Sequence, residues 1–222
     1  MNINDAYISF LIKVNQNLKS SNIAASKDRF VIIYNEEQVR RVDYILGKKN
    51  NDEIRDIQFL LKTETINTIN NTIGNKVAIT LPSDFLNLSS TYCTVKTETC
   101  KDIRLSLFEI KDFNSEEVLT DENNAPSLKY REAPYYIGSD SLQIFTKDFT
   151  VEKAVLTYYK YPRKVDISGY QKFDSTASTD IDPEGDDAFI NKVISMSAES
   201  FYRNYGDPQQ IQINKDRVIN NN

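Results

Sequence analysis

Apolar residues recur at three- and four-residue spacing from the start of the chain. Ile3, Ala6, Tyr7, Phe10, Leu11, Val14 and Leu18 fall on one face of a helix. A polar Ser-Ser-Asn break follows. The same spacing then resumes through Phe30, Ile33, Tyr34, Val42 and Ile45, predicting a second helix over about 26–46. Ser26 suits its N-cap, and Gly47 with Lys48 and Lys49 suits its end. After about Leu60 the period shortens to two. Val77, Ile79 and Leu81 alternate with smaller or polar residues, and Pro82 stops that strand. Further strands are expected over 91–96, 103–110, 135–137, 142–146 and 154–161, separated by turn-rich DENNAP and IGSDS. The stretch NSEEVLTDE reads as one or two helical turns.

The last third turns helical again. A polar segment from Ser168 leads into a long amphipathic pattern over about 183–205, carrying Ile190, Val193, Ile194, Ala198, Phe201 and Tyr205. Asp182 is placed as its N-cap with Pro183 at the first helical position, and Glu184, Asp186 and Asp187 oppose the positive end of the helix dipole. Gly206 ends it, and Asp207-Pro208 opens a short final helix or extended tail. The order helices, strands, helices predicts an α+β protein. Residues 1–60 and 166–222 form a helical bundle from both chain ends, and 61–165 form an inserted β-rich domain, sandwich- or barrel-like.

Composition narrows the chemistry. The 222 residues contain no histidine, which removes Ser-His-Asp and Cys-His catalysis and every histidine-containing zinc site. Carboxylate, Lys and Ser-Lys chemistry stays open, with no residues singled out for it. Six singly spread glycines leave no phosphate-binding loop. The net charge of -5 argues against a broad basic nucleic-acid face. It permits DNA as a neighbour that slides past without being gripped, and does not by itself establish such a role. No apolar run approaches the ~20 residues of a membrane span, and the N-terminus lacks the basic-then-apolar order of a secretory signal, so an intracellular product without a membrane partner is expected. Cys93 and Cys100 are too few for a zinc site and are expected as buried free thiols.

Three constellations have a dull reading beside a sharper one. Asp180, Asp182 and Glu184, with Gly185, match the first positions of a calcium loop, but Asn191 stands where the bidentate Glu belongs. Acidic capping of the helix over Asp180 to Asp187 explains the same carboxylates, and no metal or cofactor is assigned. Tyr158, Tyr159 and Tyr161 form either a stacking platform or half-buried sheet packing, and packing is favoured. Tyr135 and Tyr136 carry the same ambiguity. Arg40, Arg41, Lys48 and Lys49 are interleaved with Glu36, Glu37 and Asp43, which reads as a solvated helix face with local ion pairs.

Three stretches carry a resemblance: LPSDFL (81–86) after an N-terminal helical pair; SLQIFT followed by AVLTYYKYP (141–162); and DPEGDDAFINKVISMSAESFYRNYGDP (182–208). In this order they resemble the head-to-tail connector (adaptor) proteins of tailed phages, of the short-tailed tail-tube adaptor type, and the ring proteins of crAss-like phages. The central loops are longer than that pattern. The resemblance implies a virion structural protein rather than an enzyme: a ring of about twelve copies docked under the portal protein, extending the DNA channel and offering tail proteins a platform. It implies that the helical layer packs subunit to subunit, with Phe10, Ile190, Val193 and Phe201 assigned to that contact. The C-terminal segment would reach towards the portal through Ile211, Ile213, Val218 and Ile219. Another phage tail or capsid component, or a carbohydrate- or nucleotide-binding β-domain, is the competing reading.

Overall fold

The computed structural model describes residues 1–16, 25–48, 51–67, 71–110, 117, 120–121 and 124–205. The protein is α+β, and its chain divides into two units. One comprises Met1–Leu60 with the described chain from Pro162 onward; the other is Leu61–Tyr161.

The first unit holds α1 (Ile3–Asn15), α2 (Lys27–Lys48), the short α3 (Asn51–Arg55), a 3-10 turn at Gln58–Leu60 and α4 (Asp187–Tyr205). Asn2 caps α1 by accepting the Asp5 N–H at 2.8 Å. The inward faces meet in a ladder of aromatic rings. Phe10 lies 5.1 Å from Phe30 and 5.8 Å, edge-on, from Phe201, and Phe30 continues to Tyr34 at 5.5 Å. The Tyr202 hydroxyl donates to the Val14 carbonyl, joining the ends of α1 and α4.

The second boundary falls at Tyr161/Pro162, four residues before the expected 165/166. Asn35 on α2 explains the difference. Its side chain accepts the Val165 N–H at 2.8 Å and donates to the Val165 carbonyl at 3.0 Å, while Gln38 donates to the Arg163 carbonyl at 3.1 Å. Those residues are therefore fastened to the helices.

The long helix also starts later than its pattern suggested. Gly185 sits at φ +99°, which breaks the run, and Asp186 is the working cap, accepting the Phe189 N–H at 2.8 Å. A Cβ at residue 185 would lie 2.8 Å from the Phe59 ring, so glycine is required twice over.

The second unit is one continuous eight-stranded sheet: β1 (Leu61–Ile66), β2 (Asn71–Ile73), β3 (Lys76–Thr80), β4 (Phe85–Lys96), β5 (Ile103–Glu109), β6 (Glu132–Ile137), β7 (Ser141–Phe145) and β8 (Thr150–Lys160). Its spatial order is β1-β8-β4-β5-β6-β7-β3-β2, antiparallel except for the parallel β5–β6 pair. Val77 and Ile79 of β3 share one apolar core with Ala154, Leu156 and Tyr158 of β8, although four strands separate these two in the sheet. The sheet is therefore curled around its interior. Bulges in β4 between Phe85 and Asn87, Leu88 and Ser90, and Thr94 and Val95 supply bending.

The turn over 81–86 connects β3 to β4, closed by the Phe85 N–H on the Pro82 carbonyl at 3.0 Å. Three strands, β1 to β3, precede it. NSEEVLTDE lies mostly outside the described residues.

Candidate functional site

The residues assigned to a subunit contact are in the protomer's own core. Phe10, Ile190 and Val193 have no exposed surface and Phe201 keeps 2%. They close α1 and α4 against their own chain and leave nothing to offer a neighbour, so that assignment is corrected. The 3.6-residue period that named them marks the inward face. The outward apolar residues are different ones: Ile8 and Ile12, one turn apart on α1, and Ile32 on α2, all more than half exposed. Ile211, Ile213, Val218 and Ile219 lie outside the described residues.

A second feature lies where α2, α3 and α4 converge. Glu37, Arg41, Tyr44 and Lys48 on α2 share the spacing i, i+4, i+7, i+11, and so do Lys192, Met196, Glu199 and Arg203 on α4. The two rows, with Arg40, Glu53 and Ser200, line a groove of about 330 Å³. Five cations (Arg40, Arg41, Lys48, Lys192, Arg203) face three carboxylates (Glu37, Glu53, Glu199), an excess of two positive charges. Arg40 pairs with Glu37 at 3.3 Å, Arg203 with Glu199 at 2.5 Å, and Lys48 lies 4.4 Å from the centre of the Tyr44 ring. On the floor, Arg41 and Glu53 approach to 3.7 Å, yet Arg41 Nε and Glu53 Oε2 are buried without a hydrogen-bond partner. The basic cluster is thus more than a solvated face, because it forms one wall of a cleft. Lys49 lies outside the described residues.

A third feature is a hairpin over 170–178. Tyr170 and Ser178 exchange backbone and side-chain hydrogen bonds of 2.7 to 3.1 Å, Gln171 bridges Ala177, and the Lys172 N–H donates to the Thr176 carbonyl at 2.9 Å. Asp174 Oδ1 accepts both the N–H and the hydroxyl of Thr176, at 3.0 and 2.6 Å. Asp166 anchors the base: its carboxylate takes the Lys172 ammonium at 2.8 Å, the Tyr170 hydroxyl at 2.7 Å and the N–H groups of Ile167 and Thr179 at 3.0 and 3.1 Å. Burial alone would push that carboxyl up, but these donors outweigh it and hold it down at about 2. At the tip, Phe173 is fully exposed.

Of the acidic run only Asp186 caps α4, and the carboxylates that matched a cation loop are spread over other partners. Asp180 accepts the Ser168 N–H at 2.6 Å, Asp182 the Ile3 N–H at 2.8 Å and Glu184 the Arg163 N–H at 3.1 Å. Each fastens a different backbone segment. Asp187 receives the N-terminal ammonium at 2.9 Å. Among the described residues no group of three His, Cys, Asp or Glu is placed to hold a metal ion.

Tyr158 and Tyr159 are buried in the sheet, and the Tyr158 hydroxyl donates to Asp84 at 2.7 Å; Tyr161 is exposed. Tyr135 is buried as well, and the Tyr136 hydroxyl donates to Gln143 at 2.5 Å. Cys93 is buried, but Cys100 is exposed because it sits in the turn after β4. Both are free thiols. No described helix is long and apolar enough to cross a membrane. No protein-family model and no curated protein matches the sequence.

Proposed function

We propose that this chain is a structural protein of a tailed-phage virion, a head-to-tail connector. About twelve copies form a ring that docks under the portal protein, extends the DNA channel and carries the tail proteins. On this reading the helical unit, drawn from both ends of the chain, is the ring-forming bundle and the strand unit is its insertion.

The observation that carries the proposal is the second apolar edge of the helical unit. The inward face of α1 is already closed by Phe10 and Val14, yet Ile8 and Ile12 stand in water on its other side, as Ile32 does on α2. Fully burying one such side chain contributes roughly 1.5–3 kcal/mol. A heterologous head-to-tail contact through such an edge gives a ring when the rotation between copies closes. The net charge of -5 suits a channel wall that does not hold passing DNA. The C-terminal residues Ile211, Ile213, Val218 and Ile219 are the proposed portal anchors.

Quantitative mass spectrometry of purified virions, scored against the major capsid protein, tests the reading. About a dozen copies per particle is the expected result for a single-vertex ring. Copies in the hundreds would mean a capsid component, and complete absence from virions would reopen the search for another role.

A further inference from the structure

We propose that the aromatic hairpin of one copy docks into the α2–α4 groove of the next copy. The inference rests on the ring reading and names a contact within it.

Three observations lead to it. The first is that Phe173 is held out in water by a built structure. The hydrogen bonds of Asp174, Lys172 and Ser178, together with the four donors on Asp166, fix the hairpin on which it stands. An aromatic side chain presented on a fixed turn loses little entropy on docking, which is the property of an interface anchor.

The second is chemical fit. The hairpin tip offers an aromatic ring beside the Asp174 carboxylate. The groove offers the Tyr44 ring and the Met196 thioether between cations that outnumber its carboxylates by two. Aromatic rings and methionine sulfur attract one another, and the charge excess takes the adjacent carboxylate.

The third is placement within the helical unit. The segment leading to the hairpin runs back along α2, from the Gln38–Arg163 bond through Asn35–Val165 to the Lys27 ammonium on the Ser168 carbonyl at 2.7 Å. The hairpin therefore stands at the N-terminal end of α2. The groove is built on residues Glu37 to Lys48, roughly 15–30 Å further along the same helix axis. Knob and groove lie too far apart to meet within one copy. Between copies they form two different surfaces in head-to-tail contact, the arrangement from which rings are made.

The test replaces Phe173 with photoreactive benzoylphenylalanine in the full chain and mixes it with isotopically heavy copies. It is run at high protein concentration and in assembled particles. Cross-links from position 173 to heavy peptides containing Tyr44, Met196 or Ser200 are expected. Cross-links confined to other peptides or other proteins, or none in either preparation, would overturn the contact. A parallel variant, Asp174→Lys, is expected to weaken self-association about tenfold, with partial rescue by Arg40→Glu in the same chain; unchanged association would also count against the proposal. A dozen copies per virion without the cross-link would remove this contact and keep the ring. The cross-link in a chain absent from virions would do the reverse.

Discussion

The carboxylate of Asp182 accepts the backbone N–H of Ile3 at 2.8 Å, across 179 positions of sequence. It satisfies one of the first-turn amides of α1 that have no partner inside the helix, and so fastens the start of the chain to the approach to α4. The same residue that the sequence offered as a cap therefore caps a different helix.

Removing that acceptor has a defined cost. Asp182→Ala is expected to lower stability by about 1 kcal/mol, the usual loss for a capping side chain. Asp182→Asn retains an acceptor and should lose less. Urea unfolding of the three proteins checks the order.

Core and surface positions on α1 separate in the same assay. Phe10→Ala removes a ring packed on both Phe30 and Phe201 and is expected to cost about 3–5 kcal/mol. Ile12→Ala, at an exposed site, should stay within about 0.5 kcal/mol. Under the proposed ring reading the ranking should invert: Ile8→Glu with Ile12→Glu is expected to leave the fold intact and reduce incorporation into particles. Normal incorporation of the double variant would show that this edge is not a subunit contact.

The hairpin base should respond to acid. Asp166 is held at about 2, below the value of an unfolded aspartate near 3.9. A depressed carboxyl contributes its stability above the unfolded pKa, so the contribution is complete above about pH 4 and is lost as the pH falls towards about 2. Unfolding midpoints measured across that window should drop more steeply for the natural protein than for Asp166→Asn. Parallel curves would show that Asp166 does not anchor the hairpin.

Thiol labelling distinguishes the two cysteines. Cys93 is buried, and that burial pushes its thiol up to about 12, whereas Cys100 is exposed. One equivalent of a maleimide is expected to react with the native chain and a second only after denaturation. Rapid double labelling of the native protein would contradict the packing of β4.

The elements were legible where one face decides the fold. The spacing of Phe10, Phe30 and Phe201 placed both N-terminal helices and the long C-terminal one within a few residues, because burial of a single stripe sets that period. Alternation found β3, β5 and β7 for the corresponding reason. β1 escaped because its LKTETI is polar and half-exposed at the sheet edge, where packing writes little into the sequence. The start of α4 was misplaced because Asp182-Pro183 carries the cap grammar, while the backbone turn at Gly185 decides the outcome.

Among the candidate contacts, helical periodicity pointed to residues that face inward, since core and interface share the same apolar signature. The groove had a signal that composition hides. Glu37, Arg41, Tyr44 and Lys48 repeat the spacing of Lys192, Met196, Glu199 and Arg203, but only the fold brings the two rows together. Phe173 looked like one residue of a polar loop. Its exposure acquires meaning only from the hydrogen bonds that fix its hairpin.

The central claim is that copies of this chain form a ring at the portal vertex. Electron cryo-microscopy of that vertex in intact virions tests it most directly. The account predicts a closed ring of about a dozen copies beneath the portal, with neighbouring helical units in contact. A portal vertex without this chain, or copies spread over the capsid shell, would contradict it.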